Sequence, residues 1–398
     1  MSRHGDAPRN RQSLLDRSAV WGAEVCQADS LRRADVKHAS GISLSLARRL
    51  RRPWVHKTAE SLLPRRAYMR LQALVLGLLA ACASTRAKGQ AVAPKAAPPA
   101  LAPGPHNVVL NGVRFFYSVG GTAADAPLVV FLHGGPGQGS EHFEALGGRF
   151  LERELRVVYF DQRGSGLSER PVNGDYAIAT MVDDVEALRR EFGTPKIAVM
   201  GHSFGAVLAL EYAAKYPTVT SHVIIVAGLW DTEVQCPLRL ARFAQLRPDV
   251  YERARNDTLA PDGSRRNECD IELRARNGLG DDRRLFDLQT IFVDSALARR
   301  LDSVNTARHV VYGWEVNRAV MAAGLDRYRF TRFEALTMPA LVIAGKHDGA
   351  SIPAGLRPLS EKLPHARYVE FENSGHFVYL DEPDRFARVV TAFIKSTR

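Results

Sequence analysis

The sequence predicts an α/β protein in which a mostly parallel sheet carries helices on both faces and a mainly helical cap is inserted between two strands. Three observations predict it. Short apolar runs alternate with helical stretches from residue 127 to residue 227. That alternation needs crossover helices, which cover both faces of a parallel sheet. The motif Gly201-His202-Ser203-Phe204-Gly205 lies between one such run and the helix that follows it. The strand pattern then stops, and residues 230–334, rich in Arg, Asp and Leu at helical spacing, precede the next apolar run at 340–344.

The elements follow in order. Residues 107–112 and 113–119 flank Asn111-Gly112, a strong hairpin signal. The strand 127–132 runs into His133-Gly134-Gly135-Pro136-Gly137, and the strand 156–160 runs into Asp161-Gln162-Arg163-Gly164-Ser165-Gly166. Residues 180–192 read as an amphipathic helix ended by Gly193. The strand 196–200 precedes the serine motif, the helix 206–216 follows it up to Pro217, and 222–227 is a further strand. Beyond the cap come strands at 340–344 and 368–371 and a terminal helix at 384–395.

The 45% hydrophobic and 24% charged content of the 398 residues describes an ordinary globular protein, with one large α/β domain plus an insertion, or two domains. The net charge of +11 is concentrated at the start. Residues 1–68 hold 14 Lys and Arg against 6 Asp and Glu, leaving 40 against 37 in the rest. A nearly balanced body excludes a nucleic-acid partner as the reading of that charge.

Residues 1–68 lack apolar periodicity and read as a non-native or disordered basic extension. Met69-Arg70 then opens the apolar run 71–79, which stops at Ala80-Ala81-Cys82. A positive start, a short apolar core and small residues before a cysteine form a secretory signal peptide, and residues 79–82 resemble a bacterial lipobox with Cys82 as the lipidated residue. The run is too short to span a bilayer, which takes about 20 apolar residues. Residues 83–105 form a Pro/Ala-rich linker. A signal behind 68 residues implies a translation start at Met69 or slightly upstream, near Val55; a genuine basic extension is the alternative. The expected location is the bacterial envelope, with contact to the membrane only through the lipid.

Ser203 is the candidate nucleophile. A sharp turn between strand and helix lifts its Oγ clear of the sheet and points backbone N–H groups at a reacting carbonyl; a plain glycine-flanked turn serine is the bland alternative. The N–H groups of Gly135 and Phe204 are the candidate oxyanion donors, each such donor contributing about 3–4 kcal/mol to a barrier. Asp348 follows the strand 340–344, and His376 follows the strand 368–371. In that order Ser203, Asp348 and His376 fit nucleophile, orienting acid and general base. Asp231, just past an earlier strand, is the rival acid. The residues 161–168 fit loop bracing better than chemistry. This chemistry calls for no cofactor and no metal. Cys236 and Cys269, both in the cap, suggest a disulfide in an exported protein, with two isolated buried thiols as the alternative.

The set His133-Gly134-Gly135-Pro136-Gly137, Asp161-Gln162-Arg163-Gly164-Ser165-Gly166, Gly201-x-Ser203-x-Gly205, Asp348 and Gly375-His376 resembles the proline iminopeptidases, serine aminopeptidases of the α/β-hydrolase fold. The resemblance covers about residues 106–230 and 335–398, and implies a hydrolase core at 106–229 and 335–398 around a cap at 230–334. It implies release of an N-terminal residue from small peptides through an acyl-enzyme on Ser203, with a cap glutamate holding the substrate amine. Trp314-Glu315 resembles the family's Trp-Glu element, although it falls late in the cap; an exposed cap charge is the bland reading of Glu315. Phe204 replaces the family's usual tryptophan. A carboxylesterase or lactonase on the same fold is the alternative enzyme. A non-catalytic envelope binding protein is the alternative outside enzymes, and it has no need of all three residues Ser203, Asp348 and His376.

Overall fold

The computed structural model describes residues 101–122, 126–257, 259 and 263–397. The basic extension, the signal segment with Cys82 and the linker up to residue 100 lie outside the described residues.

Eight strands form one sheet: β1 (Gly104–Leu110), β2 (Val113–Gly120), β3 (Leu128–Leu132), β4 (Arg156–Phe160), β5 (Ile197–His202), β6 (Thr220–Val226), β7 (Ala340–Gly345) and β8 (Ala366–Phe371). Their order is β1-β2-β4-β3-β5-β6-β7-β8. β1–β2 and β2–β4 are antiparallel, and every pair from β4 to β8 is parallel. The first strand starts at Gly104, earlier than residues 83–105 as a linker and a core from 106 imply. β2 runs on to Gly120, so its backbone groups pair with Gly104 and Pro105. Pro105 fits because β1 is an edge strand, where a missing N–H leaves no central ladder bond open.

The helices of the core are α1 (Glu141–Leu146), α2 (Ile178–Glu191) and α3 (Gly205–Lys215). Between β6 and β7 lie α4 (Thr232–Leu246), α5 (Pro248–Asn256), α6 (Glu268–Asn277), α7 (Arg283–Ile291), α8 (Ser295–Ala307) and α9 (Trp314–Ala322). The chain closes with α10 (Pro353–Lys362), α11 (Val378–Asp381) and α12 (Pro383–Ser396). Central strand β5 is buried at every position, as a strand covered on both faces must be. One face packs on Val185 and Leu188 of α2, on α3, and on Leu356 and Leu359 of α10. The other packs on Phe143 of α1 and on Phe386, Val390 and Phe393 of α12. Each such buried Phe or Leu stabilises the fold by roughly 1.5–3 kcal/mol. The cap holds a small core of its own, Phe243, Val250, Ala254, Ala275, Leu279 and Phe286. Cys236 of α4 and Cys269 of α6 are joined in a disulfide with Cα atoms 5.0 Å apart. Among the described residues no helix is long and apolar enough to cross a membrane.

Candidate active site

Ser203 stands at the turn from β5 into α3 with φ 53°, a left-handed conformation that side chains rarely adopt. The flanking glycines make the turn possible. A Cβ on Gly201 would lie 2.2 Å from the Gly205 carbonyl oxygen, and one on Gly205 would lie 2.0 Å from that of Leu132 on β3. Strand, turn and helix therefore approach one another more closely than any side chain allows. Three backbone bonds hold the strained residue: Ser203 N–H donates to Val226 O at 3.1 Å, and Ala206 N–H and Leu229 N–H each donate to Ser203 O at 3.1 Å.

The loop after β3 lies against this turn. A Cβ on Gly134 would come within 2.9 Å of Ser203 Cβ, and Gly135 has φ 117°. Among the described residues neither the Gly135 nor the Phe204 N–H donates a hydrogen bond, so both are available to an acceptor. His133 accepts from Gln162 N–H through Nε2 at 3.1 Å, which places its proton on Nδ1. Burial pushes its pKa down to about 4, so the ring is neutral. Gln162 Nε2 also donates to His133 O at 3.0 Å.

The loop after β4 braces its neighbours. Asp161 accepts from Ser140 N–H and Oγ–H at 2.8 and 2.7 Å and from Leu167 N–H at 2.8 Å. Burial, with Glu141 nearby, nevertheless pushes its carboxyl up to about 7. Arg163 makes a buried two-pronged bond to Asp184, at 2.6 and 2.7 Å.

Asp348 and His376 meet at the carboxyl ends of β7 and β8. His376 Nδ1 lies 2.8 Å from Asp348 Oδ2. The other oxygen, Oδ1, accepts from Ala350 N–H at 2.7 Å and Ser351 N–H at 2.9 Å. A carboxylate held this way accepts a hydrogen bond from Nδ1–H, which keeps the proton on Nδ1 and leaves Nε2 free to act as a base. His202, next to Ser203, donates from Nε2 to the His376 carbonyl at 3.0 Å, and the two rings are 4.7 Å apart. Burial first, and His376 second, hold the His202 pKa well below the usual histidine range. Its Nδ1 faces Tyr379 Oη at 3.4 Å, and Tyr379 Oη lies 3.0 Å from His142 Nε2. Among the described residues no hydrogen bond joins Ser203 Oγ to His376; such bonds often tighten only with substrate bound.

Asp231 is occupied elsewhere. It caps α4, accepting from Glu233 N–H at 3.0 Å and Val234 N–H at 3.3 Å, and it pairs with Arg329 at 3.0 Å. Trp314 and Glu315 open α9 directly above the two glycine loops. Gly313 N–H donates to Gly137 O at 2.7 Å, and Val311 bridges Gly166. Tyr312 Oη is 3.4 Å from the Cβ position of Gly135. Trp314 is half exposed, its ring 4.4 Å from that of Tyr312. Glu315 forms an ion pair with Arg170 across from it. Among the described residues no group of three or more His, Cys, Asp and Glu is placed to hold a metal ion.

The comparisons agree with this geometry. Residues 127–383 match the alpha/beta hydrolase fold family. The proline iminopeptidase of Clostridium botulinum is 26% identical over 70% of this chain and 94% of its own length. The crystal structure of a proline iminopeptidase-related protein from Thermus thermophilus superposes with a TM-score of 0.57 at 23% identity, covering 74% of this chain and 97% of that one. An enol-lactonase from Burkholderia xenovorans shares the fold at a TM-score of 0.52 and 22% identity, covering 73% and 100%. The chain belongs to the α/β-hydrolase family, as a proline iminopeptidase-like member.

Proposed function

We propose that this hydrolase is a serine aminopeptidase that releases an N-terminal residue from small peptides. The observation that carries the reading is the Asp348–His376 hydrogen bond beside the left-handed Ser203; the proline iminopeptidase relatives support the choice of substrate. His376 Nε2 takes the proton of Ser203 Oγ–H as Oγ attacks the substrate carbonyl. The developing oxyanion accepts from the Gly135 and Phe204 N–H groups. His376 then returns the proton to the departing amine, the C–N bond breaks, and Ser203 carries the acyl group. Water, deprotonated by the same histidine, hydrolyses the ester and restores Oγ–H.

A carboxylesterase or lactonase is the second reading, and one observation favours it: the Glu315 carboxylate, the candidate amine anchor, is already engaged by Arg170. Purified protein offered an aminoacyl amide and a simple ester separates the two. Preference for the amide with a free amine is expected, and preference for the ester moves the reading to an esterase. Ser203→Ala is expected to abolish turnover of both while keeping the fold; retention of a tenth of kcat would remove Ser203 as nucleophile.

Export with a lipid on Cys82 is part of the proposal. The segment 69–82 motivates it, and the Cys236–Cys269 disulfide suits an oxidising compartment. Mass spectrometry of the native N-terminus is expected to find lipidated Cys82; an unprocessed Met1 would defeat the idea.

A further inference from the structure

The two loops that carry Asp348 and His376 are held by the cap as well as by the sheet. Thr290 and Ile291 are the last residues of cap helix α7, where carbonyls have no partner inside the helix. Thr290 O accepts from Gly349 N–H at 2.7 Å, and the adjacent Ile291 O accepts from His376 N–H at 2.8 Å. Consecutive carbonyls of one helix end thus grip the residue after the acid and the histidine itself. The approach is close. A Cβ on Gly349 would lie 2.8 Å from Thr290 Cβ, and one on Gly375 would lie 2.4 Å from Ile291 O.

Helix α4 holds the far side of the acid loop. Gln235, fully buried, closes a two-bond clasp on one residue, accepting from Ile352 N–H at 3.0 Å and donating to Ile352 O at 3.2 Å. One turn on, Arg239 donates to Ala350 O at 3.2 Å, and Ala350 N–H is one of the two donors on Asp348 Oδ1. Arg239 is in turn set by Glu272 of α6 at 3.4 Å. Arg239 also lies 3.5 Å from Cys236 Sγ, and the Cys236–Cys269 disulfide ties α4 to the helix that carries Glu272.

We propose that the cap is a positioning scaffold for the Asp348–His376 pair, and that Gln235 and Arg239 are positioning residues for this reaction. The proposal rests on the serine-hydrolase reading given above. Orientation is steep in its effect on rate, because a displacement of about 1 Å at a reacting group costs on the order of 100-fold. A loop held at Ala350, Ile352 and Gly349 from outside has little freedom to turn the carboxylate away from Nδ1.

The test uses the full chain with an ester substrate, and compares Gln235→Met, Arg239→Met, Arg239→Lys, Asp348→Asn and Ser203→Ala. Circular dichroism and thermal melts report the folded fraction. Gln235→Met keeps the volume and removes both clasp bonds. It is expected to lower kcat by about 10- to 100-fold with KM within about threefold, in folded protein. Arg239→Met is expected to lower kcat in the same way, and Arg239→Lys, which keeps a charged donor, to recover most of it. Should Gln235→Met fail to fold, the Arg239 pair decides. Folded variants with wild-type kcat, or an Arg239→Lys no better than Arg239→Met, overturn the proposal. Activity that survives in Ser203→Ala overturns the underlying functional reading instead, so the two failures are distinguishable.

Discussion

At the scale of single residues, the site is built on places where a side chain does not fit. Gly205 lacks a Cβ because the backbone of β3 fills that space, and neither partner can move without disturbing the central sheet. Gly205→Ala is therefore expected to cost about 3 kcal/mol or more, at the upper end of overpacking. The same change at Gly174, where φ is 64° but nothing lies within 4 Å, is expected to cost only the left-handed strain of about 1–2 kcal/mol. Urea denaturation of both variants checks the contrast, and equal losses would refute it. In the proposed aminopeptidase reading, Glu315 is the residue on which substrate class turns. If it holds a substrate ammonium by exchanging Arg170 for it, Glu315→Gln is expected to lower kcat/KM on free-amine substrates by about 10- to 100-fold, the worth of a charged hydrogen bond. Turnover of an N-acylated ester is expected to change little. Equal effects on both substrates would reject Glu315 as the anchor.

At the scale of elements, the cap helices are joined by means that differ from those of the core. The sheet and its helices share two continuous apolar layers, whereas the cap has a core of only a few side chains and a covalent tie between α4 and α6. A disulfide spanning 33 residues stabilises by roughly 3–4 kcal/mol in the chain-entropy picture. Replacing Cys236 and Cys269 by alanine together is expected to lower stability by that amount. Because the cap also grips the loops of Asp348 and His376, it is expected to melt with the core in one transition. A separate early transition in calorimetry would contradict that coupling.

At the scale of the whole molecule, the site lies on a floor of buried neutral imidazoles, and this links stability to pH. His133 has a folded pKa of about 4 against an ordinary 6.5. Between those values the unfolded chain binds a proton that the folded protein does not, so stability falls as pH drops through that window and is fully present above it. Asp161, raised from 3.8 to about 7, acts in the opposite sense, losing stability as pH rises between those values. The two are separated by comparing wild type with His133→Gln, whose amide can still accept from Gln162 N–H. The stability advantage of wild type is expected to shrink as pH falls from 6.5 to 4, by about 3 kcal/mol over the full window. A pH-independent difference would mean that His133 titrates alike in the folded and the unfolded chain, and would refute the lowered folded value.

The local chemistry of the chain was sufficient to determine the α/β architecture, the turn around Ser203 and the order of Ser203, Asp348 and His376. Each of these depends on periodicity or on glycine at a position that admits nothing larger, and such constraints act over a few residues. The choice of Asp348 over Asp231 needed only the observation that one meets His376 while the other caps a helix, since both follow a strand. Tertiary structure thus decided which acid meets His376, and it alone also decided how the cap engages the core. Thr290 and Ile291 act through backbone carbonyls, which carry no residue signature, and Gln235 reaches Ile352 across 117 positions of sequence. The pairing of Glu315 with Arg170 likewise spans elements far apart in the chain. Contacts of that kind are set by how the cap packs on the sheet, and no spacing within either segment encodes them.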